Sequence, residues 1–459
     1  MRGRIVGGVQ NSTLVEGWGR ATRSRATVVT PGQGGTDEDW AAVFAGAGSR
    51  GLIARGGGRS YGDAAQNAGG LVLDMRGQGG IGTVDPVTAT VEAGAGVTVG
   101  ELVRHLAPRG WTLPVVPGSA GVTVGGAIAA DVHGKNHRRH GTFGAQVAAM
   151  SVLTPAYGPM EMSLTVNAEQ FWATVGGLGL TGIIRRARLR LIPLGSWWVT
   201  TVDDEQPSLD RVLERLRAVA ATSEHAVAWV DHGGAGVVTG ARPARLGALV
   251  PGRVAAGRRT PVLPGRGIAW PPVSAAADRV RRFAARIRPR HERSLAELHF
   301  PLDALPGWAG LHGRRGLVQY QFTVPFGAED VLAEALHGTR SAGFAPSLSV
   351  LKLFAEANPA PLSFPAPGWS LAMDFAARAA LAPVLDRLDE RVAAAGGRVY
   401  LVKDSRVRPD LLDAMYPGLA RWRAVRSMLD PEHRLVSDLA RRLRLTDQRI
   451  SDLVEAGHA

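Results

Sequence analysis

Residues Ala54 to Asp63 hold three consecutive glycines, Gly56, Gly57 and Gly58, followed by Arg59, Ser60 and Tyr61. Short apolar runs on either side, 51–54 and 71–75, read as strands. Glycine reaches positive φ at little steric cost and leaves its N–H uncovered. Successive bare N–H groups make a concavity that suits an anion such as a diphosphate. The nicotinamide fingerprint would open a helix with glycine in its third slot. Here that slot is Tyr61, and Gly62, Asp63 and Asn67 break helix. From this segment alone, a glycine-rich surface loop would look the same.

The second chemical signal is rarity. Of 53 basic residues only three are lysine: Lys135, Lys352 and Lys403. A net charge of +13 suggests an anionic partner. The excess is arginine spread through an Ala/Gly-rich chain, however, which reads as coding bias, and no nucleic-acid partner is expected. Where charge alone is needed, this chain uses arginine. A lysine offers a compact ammonium with a tunable pKa. Gln319 and Gln321 stand two apart in a strand-like run, 317–324, and so share a face. Paired amides suit sugar hydroxyls, although a solvated strand face would read alike. Cysteine is absent, which excludes disulfides, thiolate metal sites and a cysteinyl-linked cofactor. No metal site is expected.

These residues need elements to carry them. At 459 residues the chain has room for two domains and a large core. Thr36 to Asp39 and Thr98 to Glu101 look like capping boxes, opening helices to about 47 and 107. Strands are expected at about 51–55, 71–75 and 88–93, so strand and helix alternate in an α/β or α+β manner. Small residues dominate 117–134 and recur in 171–184. The run 186–192 alternates like a strand with one wet face. Pro193 to Gly195 is a plausible domain boundary. Helices at about 207–221, 327–338 and 379–395 then mix with strands. The Gly/Pro/Arg-rich span 233–275 reads as a lid or a disordered segment. Its basic and apolar mixture suits an anionic lipid surface, and a solvated loop equally. The chain ends in helices at about 409–415, 418–428 and 431–443. No run of 18 apolar residues occurs, and residues 1–8 lack the apolar core of a secretory signal. The protein is expected in the cytoplasm or peripherally at the envelope face.

Taken together, Ala54–Asn67, Pro117–His137, Phe171–Ile184, Leu317–Phe322, Lys352–Phe354, Pro361–Trp369, Tyr400–Arg406 and Met428–Leu443 resemble the vanillyl-alcohol-oxidase type of FAD oxidoreductase. The resemblance runs from about residue 17 to 445 and rests on the order and spacing of these segments. It implies an α+β fold: a two-part FAD-binding domain of PCMH type, residues 1–193 completed by 398–459. A substrate domain, 194–397, is inserted on an antiparallel sheet. Within the family the chain is most similar to the members that oxidise the 2′-hydroxyl of decaprenylphosphoryl-ribose to the 2′-keto sugar. In those organisms an NADH-dependent reductase partner completes the epimerisation to arabinose.

The resemblance also assigns roles. Ala54, Arg55, Gly56, Gly57, Gly58, Arg59, Ser60, Tyr61, Gly62 and Asp63 would hold the FAD diphosphate. Gly118, Thr123, Val124, Gly125 and Gly126 would line its path. Ala130, Asp131, Val132 and His133 would continue that path, with Ile184 and Tyr400 closing it. In several relatives a histidine just before the serine carries the flavin covalently. Here Arg59 holds that place, so non-covalent FAD is expected. Lys403 would sit beside flavin and substrate, with Tyr61 and His133 touching the sugar. For His133 a purely structural role is an equal alternative. Lys135, Trp229, Gln319, Gln321, Lys352 and Ser370 match substrate-pocket positions, with Lys135 and Lys352 on the phosphate. Ion pairs within the fold are the alternative for these two lysines. The family usually has Asn and Cys where this chain has Ser370 and Ala372, and Asn at Leu178. These departures leave room for an oxidase of another sugar, alditol or lactone, or for a non-catalytic flavin- or lipid-phosphate-binding protein.

Overall fold

The computed structural model describes residues 12–32, 37–244, 260–305 and 307–446. Near the start a four-stranded sheet runs in the order Thr13–Glu16, Arg23–Val29, Leu71–Asp74, Leu52–Arg55. The first pair is antiparallel and the other two are parallel. Parallel neighbours need a crossover, and residues 56–70 make it without a helix. Asn67 pins its far end, donating to the carbonyls of Gly51 at 2.8 Å and Arg50 at 3.2 Å. The glycine loop therefore leaves the end of the strand Leu52–Arg55 and returns to a fixed point.

An antiparallel sheet follows in the order Thr90–Gly94, Ile183–Arg190, Val147–Thr154, Gly158–Ser163. The strand Ile183–Arg190 buries Ala187 and Leu189 and exposes Arg186 and Arg188 side by side with them, as its alternation requires. The helix Val99–Leu106 begins at a true capping box between Thr98 and Glu101. Its residues Leu102, Val103 and Leu106 enter one core with Val115, Val124 and Ile128.

The third sheet has eight strands, in the order Arg290–Ser294, Trp198–Gln206, Gly236–Pro243, His225–Val230, Leu348–Phe354, Gly368–Ala376, Leu317–Val324, Arg398–Val399. All its neighbours are antiparallel. Period two divides it into two unlike faces. Tyr320, Phe322, Val324, Leu351, Leu371 and Met373 join the core beneath the helices Leu209–Thr222, Glu329–Ser341 and Ala382–Ala394. Gln319, Gln321, Lys352, Ser370 and Asp374 point the other way.

Several sequence expectations are corrected. Gly236–Pro243 is a central strand and Pro271–Ile287 a long helix, so both ends of the span 233–275 carry regular structure. The middle of that span, residues 245–259, read as lid or disordered segment, lies outside the described residues, as does Thr36 of the first capping box. The last helix among the described residues is only Asp438–Arg442. Before it, Asp430 accepts from the backbone N–H of Arg434 and Leu435 at 2.9 and 2.8 Å, which fixes a loop where helix was expected. Arg398–Val399 adds an edge strand to the large sheet beside Leu317–Val324. Among the described residues no helix is long and apolar enough to cross a membrane.

Candidate active site

One cavity lies between the glycine loop, the small-residue segment 117–133 and the polar face of the large sheet. The loop is built for close approach. A Cβ on Gly57 would run into the Gly121 carbonyl oxygen, and one on Gly56 into the Thr123 hydroxyl. Gly57 therefore packs on backbone and Gly56 on the Thr123 side chain, approaches that only glycine allows. The N–H groups of Gly57, Gly58, Arg59 and Ser60 have no protein acceptor among the described residues. Four consecutive unspent donors on a cavity wall form an anion cradle. The cradle therefore fits the diphosphate of a dinucleotide.

The loop is then tied to the turn that carries Lys403. Tyr61 N donates to the Val402 carbonyl at 3.0 Å, and Gly62 packs directly on the Asp404 carbonyl. The Arg442 guanidinium pairs with Asp63 at 2.9 Å and with Asp404 at 2.9 Å. Asp404 in turn accepts from the N–H of Arg406 and Val407 at 2.9 and 3.0 Å. One arginine from the last described helix thus joins the anion cradle to the lysine turn.

Five expected cofactor residues do not line the cavity: Arg55, Gly62, Asp63, Val124 and Asp131. Arg55 turns back to the carbonyls of Ala65 and Glu16, at 3.1 and 2.8 Å. Val124 is core. Asp131, at φ 40°, accepts from Gly144 N at 2.9 Å, Asn358 Nδ2 at 2.6 Å and Ser363 Oγ at 2.6 Å. It fixes the backbone before His133. The other expected residues of the loop and path do line it, as do Trp229, Lys135, Lys352, Lys403, Gln319, Gln321 and Ser370. Leu178 also lines it, at φ 60°. That left-handed backbone suits Asn far better than a bulky apolar residue, so Leu178 is held there by its surroundings.

The polar face carries two linked groups. In the first, Gln319 Nε2 donates to Asp374 Oδ1 at 2.5 Å and to the Tyr61 hydroxyl at 3.2 Å. Trp308 Nε1 donates to the other carboxylate oxygen at 2.9 Å. Lys403 Nζ stands 3.7 Å from the centre of the Tyr61 ring. Burial lowers the Lys403 pKa to about 7; Asp374 opposes that shift and Lys352 adds to it. In the second group, Gln321 Nε2 lies 3.0 Å from His133 Nε2 and 3.2 Å from Ser370 Oγ. Lys352 Nζ lies 3.3 Å from His133 Nδ1. Burial, then Lys352, pushes the His133 pKa well down, so the imidazole is neutral. Burial brings Lys352 to about 8. Lys135 is pushed well down by burial and then by Lys352, and it donates to the His299 carbonyl at 3.2 Å.

None of the three lysines forms an ion pair with a carboxylate among the described residues. Buried amines without counter-charge are costly. A cavity that collects all three is prepared for an anion. Asp374 and Trp308 are functional neighbours that the sequence does not single out. Asp374 was accessible in principle, because it follows Ser370 and Ala372 at period two on one strand.

Residues 33–163 match the family described as an FAD binding domain. Decaprenylphosphoryl-beta-D-ribose oxidase of Mycolicibacterium smegmatis is 36% identical over 457 residues, covering 94% of this chain and 97% of that protein. The chain belongs to the vanillyl-alcohol-oxidase-type family of FAD-binding oxidoreductases. An uncharacterized protein from Streptomyces coelicolor is 38% identical over 372 residues, covering 76% of this chain and all of that protein. L-gulonolactone oxidase of Bos taurus is 30% identical over 178 residues, 39% of each chain. As a member of this family the protein is an FAD-dependent enzyme that oxidises CH–OH groups, with FAD held non-covalently.

Proposed function

We propose that the enzyme oxidises the 2′-hydroxyl of a ribose carried on a polyprenyl phosphate, giving the 2′-keto sugar. The observation that carries this reading is the trio of buried lysines that line one cavity without carboxylate partners among the described residues. A neutral sugar gives no reason to bury three amines, whereas a phosphorylated one does. The similarity to the decaprenylphosphoryl-ribose oxidase supports the same choice. FAD held there would supply a two-electron oxidant for the carbinol C–H, and the hydroxyl proton would leave separately to a base or water.

The chain's own groups would then divide the work. Residues 1–193 and 398–459 would hold the cofactor, its diphosphate on the N–H groups of residues 57–60, while 194–397 would hold the substrate. Lys135 and Lys352 would bind the phosphate. Gln319 and Gln321 would orient the sugar, each fixed from behind by Asp374 or by His133 and Ser370. Lys403 would meet the reacting hydroxyl beside Tyr61, and Trp229 would close the substrate side. An NADH-dependent reductase acting on the keto product fits this reading as a functional partner.

Anaerobic mixing with polyprenyl-phosphoryl ribose should bleach the flavin absorbance within seconds, and free ribose or alditols should not. Bleaching by free alditols alone would refute the assignment. It would favour a soluble sugar, alditol or lactone oxidase, a reading that Ser370 and Ala372 keep in view by altering the pocket wall.

A further inference from the structure

The helix Pro271–Ile287 has its polarity turned inside out. Amphipathic surface helices bury their apolar stripe and show charge to solvent. Here the half-buried face carries Asp278, Arg281 and Arg282 beside the buried Ser274 and Ala285; Arg282 reaches Asp231 at 2.7 Å, and Arg281 pairs with Asp278 of the same helix at 3.1 Å. The outward face carries Val273, Ala276, Val280, Phe283 and Ile287, spaced by three and four residues as one helical stripe requires. Val280, Phe283 and Ile287 are 67, 62 and 67% exposed, and Trp270 just before the helix is 56% exposed. Beside the stripe stand Arg279, Arg288 and Arg290, exposed and without ion pairs among the described residues.

We propose that this face docks the enzyme on an anionic phospholipid surface. An apolar stripe flanked by arginines, with an indole at its end, is the pattern that lies in a bilayer interface. Charge decides between occupants. A second copy would bring the same arginines against each other, whereas an anionic headgroup layer complements them and the +13 chain behind them. Position gives the docking a purpose. The Arg281 guanidinium lies 4.9 Å from the centre of the Trp229 ring, and Trp229 lines the active-site cavity. The docking helix therefore abuts the cavity wall, where a lipid-borne substrate would be presented. That benefit rests on the function proposed above, while the docking itself is tested without substrate, so the two fail separately.

The test is flotation of the FAD-loaded enzyme with vesicles of phosphatidylglycerol and phosphatidylcholine, and with phosphatidylcholine alone. Binding to the anionic vesicles should exceed binding to neutral ones at least tenfold and fall several-fold in high salt. The pair Val280→Ser and Phe283→Ser should reduce it at least tenfold, and Arg279→Gln with Arg288→Gln and Arg290→Gln should abolish the preference for anionic lipid. Flavin content and flavin reduction in detergent should stay unchanged in both variants. Absence of flotation overturns the proposal. So does flotation indifferent to both variants, or light scattering that shows the serine pair abolishing self-association instead. Flotation that appears only after residues 245–259 are deleted would show that the chain covers this face itself, and would overturn it too.

Discussion

The Lys403 ammonium sits 3.7 Å above the centre of the Tyr61 ring, and the hydroxyl of that ring accepts from Gln319 at 3.2 Å. Tyr61 thus joins the lysine turn to the polar face of the sheet through two different interactions. A desolvated cation–π contact contributes about 2 kcal/mol, and a neutral hydrogen bond about 1 kcal/mol. Tyr61→Phe keeps the first and loses the second. Stopped-flow reduction of flavin-saturated protein should therefore slow by less than about tenfold. Tyr61→Leu loses both and should slow it by roughly a hundredfold. Equal rates in the two variants would show that the ring face does not matter.

Asp374 sets the charge of Lys403 without touching it. Its carboxylate opposes the burial that lowers the lysine to about 7. If the ammonium form is the active one, flavin reduction declines as pH rises through the lysine pKa. Asp374→Asn removes the favourable charge, so the pKa falls and the alkaline limb moves to lower pH. The amide still accepts from Gln319 or Trp308, which separates charge from packing. A pH–rate profile of the variant with an unmoved limb would assign the charge effect elsewhere.

Arg442 is a positioning residue. Its guanidinium joins Asp63 after the glycine loop to Asp404 after Lys403, and Asp404 is buried. Removing one partner of a buried pair costs about 3–5 kcal/mol, because the remaining charge is stranded. Arg442→Gln should lower the melting temperature and weaken FAD binding by at least tenfold. Arg442→Lys keeps one charge but not the fork, and should fall between. A variant that melts early yet binds FAD with wild-type affinity would confine Arg442 to folding.

How much of this could be read in advance follows from distance along the chain. The glycine loop, the Thr98 capping box and the strand Leu317–Val324 are local patterns, and each appears where the sequence puts it. The three lysines were legible only because arginine is used everywhere else. Arg442 was not, since nothing local marks a residue whose partner lies 379 positions away. The strand Trp198–Gln206 was missed for another reason. Its first half, 198–202, carries β-forming residues, but Asp203, Asp204, Glu205 and Gln206 do not, and that second half is held by pairing with Gly236–Pro243. Asp63 and Asp131 were expected on the cofactor path, but their carboxylates turn away from the cavity into the scaffold that shapes the loops, a direction no local pattern reveals.

Ala372 lines the cavity between Ser370 and Asp374 on the polar face of its strand. The chain has no cysteine, so a thiol-directed electrophile has no nucleophile of that kind to meet. Ala372→Cys adds one sulfur at a site already open to the cavity, a small change in volume. The variant should retain flavin reduction within a few-fold, since hydride transfer makes no use of this position. Incubation with a maleimide should then add one label by intact mass, block reduction, and be slowed by bound substrate, while the parent protein takes up none. A labelled variant with full activity would move the substrate path away from this wall, and with it the assignment of Ser370 and Gln321 to the sugar.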